Sequence, residues 1–568
     1  MDTRNVLMAV ILSTIIIVGW QVLVVDPELK KSKTEISKIE QTKPSPTLDG
    51  SKPSAPSLSA KAPEPQKIIT RQDAVVTGQR IRIENSKLFG SISLTGALID
   101  DVTLKNYKET IDKKSPEVVV LNPKQMNTGY YLESGWASAN NIIVPDNNSV
   151  WKLVKNKTLT PTTPIELEWD NQKGLIFTKK IEVDNQYLFK ITETFRNNSK
   201  DKVDLFHYSQ ITRKEKPAVK NFYILHEGLI GVIDENLKEE KYDDIKDKNQ
   251  KYQGSSGWVG ITDKYWLTAI VPQKKQAFNA EFTFDNTYKA NYILTSPNSA
   301  NPGQNSSSSA QLFIGAKEVQ VIDTYAEKAE INKFDLAIDW GWFYFFTKPL
   351  FFIIDYLFKL CGNFGVAIII LTAGIRLLFF PLANYSFVSM AKMKALQPEM
   401  TRLKDLYKDD KQKIQLEMMA LYRKEKINPV SGCLPMLIQI PFFFAIYKML
   451  FVTLEMRHAP FFGWIQDLSA PDPTTIFNLF GLIPWNPPSF LIIGVWPILM
   501  GVTMWIQQKL NPAPTDPIQA KIFAFFPFFL TVMLASFPSG LVVYWTVNNV
   551  LTMAQQYIII KKTKTKTV

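Results

Sequence analysis

The chain has 568 residues, of which 46% are hydrophobic and 21% charged, and its formal net charge is +12. This length leaves room for a large folded domain together with several membrane spans. Two cysteines, Cys361 and Cys433, exclude a disulfide-built fold, and three histidines far apart in sequence speak against a His- or Cys-built metal site. No nucleic-acid motif accompanies the lysines, whose location favours membrane topology over nucleic-acid binding.

Residues 1–25 are predicted to form an N-terminal transmembrane anchor. Val6 to Val25 is an apolar stretch of twenty residues after a short polar start. A signal peptide is the alternative, but no A-x-A-like cleavage site precedes Asp26, which favours a retained anchor. Residues 26–70 are rich in Lys, Ser and Pro and too poor in large apolar residues to bury a core, so they are predicted to be a disordered tether.

Residues 71–333 are predicted to form a large antiparallel β-sandwich. Short runs of alternating apolar and polar residues, such as LIFTKKIEVDNQYLFKITETF, are separated by clusters of Asn, Asp, Gly and Pro. This alternation is typical of strands with one wet face. Five tryptophans in the segment are either platforms for stacking sugars or core residues, and core packing is the commoner use: Trp136, Trp151, Trp169, Trp258 and Trp266.

Residues 334–358 are predicted to form an amphipathic helix lying in the membrane interface. The stretch from Ile338 to Phe358, IDWGWFYFFTKPLFFIIDYLF, interleaves aromatic residues with charged residues and a proline. That mixture suits an interfacial helix better than a crossing one, although a further span is the alternative.

Residues 359–384 are predicted to form the second transmembrane helix, and they contain the most informative residue of the chain. Arg376 is the only charge in the nineteen residues from Gly365 to Ala383, and it lies roughly 12 Å inside the run at 1.5 Å rise per residue. A charge at that depth usually faces a bundle interior or a water-filled cavity. Thr372, one turn earlier, shares its face. A snorkelled arginine or a structural ion pair is the alternative.

Residues 385–430 are predicted to form a cytoplasmic helical hairpin. Four methionines, Met390, Met393, Met400 and Met418, belong to its apolar seam. From Met390 to Asn428, ten Lys and Arg against six Asp and Glu leave +4, which places the hairpin on the cytoplasmic side. The methionines either form the hairpin core or offer an adaptable surface to passing hydrophobic segments.

Residues 431–560 are predicted to contain the remaining four transmembrane helices, and residues 561–568 a basic cytoplasmic tail. The four spans run from Pro435 to Val452, Phe490 to Ile506, Ile522 to Phe537 and Gly540 to Ile560. Alternating them from the basic hairpin gives six spans in all, with both termini in the cytoplasm and the β domain outside it.

Motifs for several kinds of chemistry are absent from the sequence. There is no Walker loop, no H-E-x-x-H zinc motif, and no Ser and His pair for intramembrane proteolysis. Internal repeats and intramembrane carboxylates, which an ion-coupled transporter would use, are also missing. We therefore expect no metal, no cofactor and no enzymatic activity. The remaining candidate for a functional group within the predicted spans is the cation of Arg376. Polar residues on other spans are its possible neighbours: Gln439, Gln507, Asn548 and Asn549.

Four segments in order resemble the YidC/Oxa/Alb family of membrane protein insertases. They are IRLLFFPLANYSFVSMAKMKALQPEM, DDKQKIQLEMMALYRKEKINPVSGCLPMLIQIPFFFAIYKML, ILMGVTMWIQQKLNP and FPSGLVVYWTVNNVLTMAQQ, and together they cover much of the chain from Phe334 to Ile560. The layout of anchor, tether and β domain is similar to that of Gram-negative members, in which the β domain is periplasmic.

The resemblance implies a five-helix core around a hydrophilic groove that receives the polar tail of an incoming membrane protein. Arg376 matches the family's groove arginine, and Thr372, Gln507 and Trp545 are implied to line the groove with it. Ile440 and Phe443 are implied to form the lipid-facing hydrophobic slide. The implied location is the bacterial inner membrane. The implied partners are nascent membrane proteins, membrane lipids, the Sec translocon, and components of the ribosome and signal recognition particle pathway.

Two other function classes stay open at this point. A membrane-anchored carbohydrate-binding or mutarotase-like protein is the first, because large β-sandwiches of this kind resemble mutarotase folds. His207 and His226 are the only histidines of the β domain, and neither lies in a recognisable motif. An ion-coupled transporter is the second.

Overall fold

The computed structural model describes residues 70–565, apart from 218–224, 342–343, 408–409, 426, 429–433, 482, 484, 486, 488–491 and 512–516. All described residues belong to one unit of the chain, Pro53–Val568. The predicted anchor, nearly all of the predicted tether and the last three residues of the tail lie outside the described residues.

Two packed sheets form a β-sandwich, as the alternating pattern predicts. One sheet has the strand order β14-β17-β18-β11-β5-β3-β2-β1-β7, with β19 beside β11 and β4 beside β3, and the other has the order β13-β12-β15-β16-β20-β10-β9-β8-β6. The strands are β1 Arg80–Glu84, β2 Leu88–Ser93, β3 Leu98–Lys108, β4 Glu117–Leu121, β5 Tyr130–Ala137, β6 Lys152–Lys155, β7 Thr158–Leu159, β8 Ile165–Asp170, β9 Leu175–Val183, β10 Leu188–Asn197, β11 Val203–Arg213, β12 Gly228–Ile233, β13 Asn236–Lys241, β14 Gln250–Gly254, β15 Gly257–Thr262, β16 Trp266–Val271, β17 Phe278–Phe284, β18 Tyr288–Leu294, β19 Asn298–Ala300 and β20 Asn305–Ala316.

The core lies between the two sheets. Along β9, Leu175, Phe177 and Ile181 are buried while their neighbours reach the surface, because successive side chains of a strand point to opposite faces. Three of the five tryptophans, Trp136, Trp151 and Trp258, are buried in this core, which agrees with the core-packing interpretation. The other two are half-buried against it.

Helices precede and follow the sandwich. They are α1 Arg71–Val76, α2 Val319–Lys328, α3 Tyr344–Cys361, α4 Phe364–Leu378, α5 Phe380–Ala395, α6 Gln397–Leu406, α7 Lys411–Lys424, α8 Leu434–Val452, α9 Val495–Leu510, α10 Pro517–Leu534 and α11 Ser539–Thr565.

The amphipathic segment forms α3, which starts six residues later than the predicted Ile338. Ile338 and Trp340 are buried in the sandwich core instead of lying on the helix. One face of α3 packs inward through residues such as Phe351, whereas Tyr356 and Leu360 on the other face are exposed. The location of α3 in the membrane interface stays a prediction.

The apolar run that carries Arg376 is not one continuous helix, contrary to the prediction. It divides at Phe379 into α4 and α5, which are bent by 68° relative to each other. Pro381 accounts for the break, because proline has no N–H to donate and its ring clashes with the carbonyl four residues earlier. Within the described ranges no single helix has both the length and the hydropathy for a membrane crossing, and the bent pair α4–α5 reaches them only jointly.

The predicted hairpin region contains α6 and α7, which contact each other. The Tyr422 hydroxyl lies 3.7 Å from the Met400 sulfur. Met400 is buried, whereas Met390, Met393 and Met418 are half-buried.

The sandwich contacts the helices directly. After α8, the Arg457 guanidinium donates to the backbone oxygens of Lys108 at 2.6 Å and Glu109 at 3.1 Å. Lys448 on α8 pairs with Asp339 at 2.8 Å. These contacts fix the end of α8 against the β domain and so help to position the residues that α8 presents to the helical core.

Candidate functional site

Arg376 is held by two neutral carboxamides. Its Nε and one terminal nitrogen donate to Asn548 Oδ1 on α11, at 2.9 and 2.6 Å. The same terminal nitrogen donates to Gln439 Oε1 on α8 at 3.1 Å. Three helices therefore meet at one guanidinium, which is half-buried.

No carboxylate in the described part of the chain forms an ion pair with Arg376. The carboxamides satisfy N–H groups of the guanidinium but carry no formal charge. The positive charge is thus held in place without being neutralised, which is unfavourable in a low-dielectric environment unless water or an anion reaches it. This geometry excludes the structural ion pair as the reason for the arginine within the described residues.

Two neighbouring cavities meet at Arg376. The larger has a volume of about 570 Å³ and lies among α4, α5, α8, α9, α10 and α11. The smaller, of about 40 Å³, lies among α4, α5, α8 and α11. Both are lined by Arg376, Gln439, Tyr544 and Asn548.

The predicted groove residues line these cavities. Thr372 lines the smaller one, is buried, and donates its hydroxyl to the Ile368 carbonyl at 2.7 Å. Gln507 and Trp545 line the larger one. The structure therefore places all four predicted groove residues on the walls of two neighbouring cavities that share Arg376.

The predicted slide residues lie on the wall of the larger cavity. Ile440 is exposed, and Phe443 packs edge to face against Trp545 with 4.8 Å between ring centroids. Phe523 and Phe526 of α10 continue this apolar wall. Met390, predicted as a hairpin residue, also lines the larger cavity, whereas Met393, Met400 and Met418 do not. The space is thus apolar along much of its wall and cationic at one point.

Sequence reasoning overlooked Tyr544 and Gln555, which both line the smaller cavity. They lie four residues before and seven residues after Asn548, so the three side chains share one face of α11. That periodicity was present in the sequence. Asn549 lies off this face and donates to Thr503 on α9 at 3.2 Å.

Family models match nearly all of the described chain. The description "YidC periplasmic domain" fits residues 80–353, and "60Kd inner membrane protein" fits residues 356–566. A protein of Pelagibacter ubique called membrane protein insertase YidC is 52% identical, with all of both chains covered. One of the same name from Methylorubrum extorquens is 46% identical over all of this chain and 96% of its own length.

A solved YidC insertase is similar over 85% of this chain and 95% of its own, at 15% identity and a TM-score of 0.35. A superposition at that level carries no argument about the site. The relationship rests on the sequence matches, which extend from one end of the chain to the other.

Proposed function

The chain belongs to the YidC family of membrane protein insertases, and we propose that it inserts its substrates through the two cavities at Arg376, hereafter the groove. It is an inner-membrane insertase rather than an enzyme, with a periplasmic β-sandwich and a helical C-terminal region, and its substrates are membrane proteins. The observation that carries the proposal is the unneutralised guanidinium of Arg376 where both cavities meet.

The physical obstacle to insertion is desolvation of the substrate's polar tail. Polar groups that enter hydrocarbon without hydrogen-bond partners cost several kcal/mol each, roughly 2 to 7 for an amide or hydroxyl. A hydrated groove shortens the dry path that the tail must cross. Thr372, Gln507 and Trp545 contribute hydrogen-bonding groups to its walls, so the tail exchanges water for protein partners.

Arg376 gives the groove a preference for acidic tails. A carboxylate that enters meets a cation whose bound acceptors, Asn548 and Gln439, are neutral. Attraction between opposite charges grows as the dielectric falls, so the pull is stronger inside the groove than at the surface. The membrane potential adds roughly 2.3 kcal/mol per charge per 100 mV.

The apolar wall with Ile440 and Phe443 is proposed as the path of the substrate's transmembrane segment. Both residues line the larger cavity, and Ile440 is exposed. A segment that slides along this wall reaches lipid through burial of its own apolar surface and needs no nucleotide.

We further propose the membrane arrangement that the charge distribution predicts. Residues 1–25 and four helical segments within 431–560 cross the membrane, and so does 359–384 as the bent pair α4–α5. Residues 334–358 lie in the interface, and residues 385–430 form the cytoplasmic hairpin, where Met393, Met400 and Met418 lie. Both termini are cytoplasmic, and residues 26–70 tether the β domain of residues 71–333.

The Sec translocon and the ribosome with its signal recognition particle pathway are proposed as partners. The basic hairpin, with a net charge of +4 from Met390 to Asn428, suits contact with an anionic ribosomal surface. The short tail of residues 561–568 offers a smaller basic surface.

Reconstitution into liposomes tests the proposal. The purified protein is mixed with two single-span substrates that differ only in carrying an acidic or a neutral N-terminal tail, and protection of the tail from external protease is measured. Wild-type protein should protect both tails above empty liposomes. Arg376→Ala should slow insertion of the acidic tail at least about tenfold, since hydrogen bonds to charged groups contribute about 1.5 to 3 kcal/mol.

Arg82→Ala is the matched control, because it removes an exposed arginine on the outside of the β-sandwich. It should insert both substrates at the wild-type rate. Normal insertion of the acidic tail by Arg376→Ala would reject the role of the charge, and protection no better than empty liposomes for the wild type would reject the groove.

A further inference from the structure

Gln555 lies on α11 between Asn548 and the C-terminal end of the helix. It follows Asn548 by seven residues on α11, which places it two turns, or roughly 10 Å, along the same face. It lines the smaller cavity together with Arg376 and Asn548. Only 8% of the residue is exposed.

The Gln555 carboxamide has no hydrogen-bond partner among the described residues. Neither its Oε1 nor its Nε2 makes a hydrogen bond within the described part of the chain, and both atoms are buried. A buried donor or acceptor that forms no hydrogen bond costs about 1 to 3 kcal/mol of stability for each group. By contrast, Asn548 and Gln439 both accept from Arg376. Because Gln555 borders the cavity, a group that enters the cavity and displaces the neighbouring side chains can become the missing partner.

The occupant must both donate and accept. A carboxylate only accepts, so it could bond Nε2 but would leave Oε1 unsatisfied. A peptide group offers one N–H and one C=O and matches a carboxamide at both positions. Water also matches, and about 40 Å³ is enough for more than one molecule in the empty groove.

We propose that Gln555 binds a backbone peptide group of the entering tail, replacing the water that occupies the site between substrates. This inference rests on the proposed function and adds a second substrate contact to it. Arg376 recognises a side chain and discriminates by charge. Gln555 recognises the backbone, which every tail has, and so it acts on acidic and neutral tails alike.

The test uses the two substrates that differ only in the charge of the tail. Gln555→Leu should slow insertion of both by the same factor, about threefold to tenfold for the loss of hydrogen bonds to one peptide group. Gln415→Leu makes the same change at an exposed position of α7 and should leave both rates unchanged. Arg376→Ala should affect only the acidic tail.

Three results would overturn the inference. Wild-type rates for both tails with Gln555→Leu would mean that the site holds water only. Slowing of the acidic tail alone would mean that Gln555 acts through Arg376. If the wild-type protein inserted neither substrate, the proposed function itself would be rejected. This result differs from the first two, in which the wild-type protein inserts both substrates.

Cysteine cross-linking tests the contact independently of rates. In a Cys361→Ser, Cys433→Ser background, Gln555→Cys should form a disulfide with a cysteine in the tail of a stalled substrate. Tyr557→Cys, two residues further on and 66% exposed, should not. Equal cross-linking at both positions, or none at position 555 in a protein that still inserts, would contradict the proposal.

Discussion

A buried cation occurs in the β-sandwich and a half-buried one in the helical half, and their charges are paired in opposite ways. In the β-sandwich, Lys179 on β9 is 1% exposed and lies 2.9 Å from Glu193 on β10. His207 on β11 contacts the second oxygen of Glu193 at 2.8 Å. In the helical half, Arg376 meets only carboxamides among the described residues.

The sandwich cluster of Lys179, His207 and Glu193, hereafter the closed cluster, contains its own counter-charge. Lys179 also donates to the Ser134 carbonyl at 2.8 Å, and the Ser134 hydroxyl donates to Glu193 at 3.0 Å. Burial alone would raise the pKa of Glu193, but the charge of Lys179 and the contact with His207 lower it to about 2. Because β5 and β11 belong to one sheet and β9 and β10 to the other, the cluster joins the two sheets.

The difference shows that an internal counter-charge determines whether a cation can attract an anion from outside the fold. A buried cation with its own carboxylate is satisfied inside the fold and contributes to structure. A buried cation with neutral acceptors keeps its charge available, so it can attract an anion from outside. The choice of acceptor, together with the degree of burial, separates a structural cation from one suited to binding.

The largest expected effect comes from breaking the closed cluster. Glu193→Gln leaves Lys179 buried without a counter-charge, and we expect the β domain to lose about 3 to 5 kcal/mol of unfolding free energy. Denaturant unfolding of the full chain in detergent, followed by circular dichroism of the sheets, measures the loss. At pH 7 the ionised carboxylate contributes fully. Its contribution falls as the pH drops below the ordinary value of 4.5 and through about 2.

Glu182→Gln provides the matched comparison for that loss. Glu182 lies on β9 near Lys179 in sequence, but its side chain is 36% exposed and pairs with Lys180, which is 46% exposed. A surface pair contributes about 0 to 1 kcal/mol, so this variant should unfold nearly as the wild type does. Equal unfolding free energies of the two variants would mean that the buried cluster contributes no more to stability than the surface pair does.

A second variant gives Arg376 a counter-charge inside the protein. Asn548→Asp places a carboxylate where the amide oxygen lies, 2.6 to 2.9 Å from the guanidinium nitrogens of Arg376. The internal ion pair then competes with the substrate, and insertion of an acidic tail should slow about tenfold while a neutral tail is unaffected. Asn549→Asp adds the same charge one position further on, beside Thr503, and should have a smaller effect. An unchanged rate with Asn548→Asp would show that the charge of Arg376 need not be free.

Sequence patterns predicted the sandwich and the groove cation because both depend on local periodicity. Strand alternation identified the sheets, and one charge in an apolar run identified Arg376. The break at Phe379 was also foreseeable from Pro381, whose local effect the length of the apolar run obscured.

The closed cluster could not be predicted, because its members come together only through sheet pairing. Lys179 does occupy an inward position between Phe177 and Ile181, which hinted at a buried charge. Its partners Glu193 and His207 lie on other strands, and no spacing rule connects them. Gln555 was missed for a different reason: it stands close to the basic tail, where a polar residue normally indicates the end of a span.

A third kind of buried ionisable group completes the comparison, and its removal changes how stability depends on pH without changing insertion. Glu455, just after α8, accepts from the backbone N–H of Val319 at 2.9 Å, and its other oxygen has no hydrogen-bond partner among the described residues. Burial, together with nearby Glu318 and Asp355, raises its pKa from 4.5 to about 7. The folded protein therefore holds a proton more tightly than the unfolded chain. The stability that this provides is complete below pH 4.5 and is lost as the pH rises toward 7, by at most about 1.4 kcal/mol per pH unit.

Glu455→Gln should remove this dependence, because glutamine keeps the acceptor for Val319 and cannot ionise. The measurement is the unfolding free energy of both proteins at pH 5, 6, 7 and 8, and the wild-type value should fall relative to the variant up to about pH 7 and then run parallel to it. Lys264 and Lys317, whose pKa values burial lowers to about 8, titrate in both proteins and cancel in the difference. A difference that stays constant with pH would mean that Glu455 is ionised throughout. Its charge would then be compensated as completely as that of Glu193, without any cation in contact.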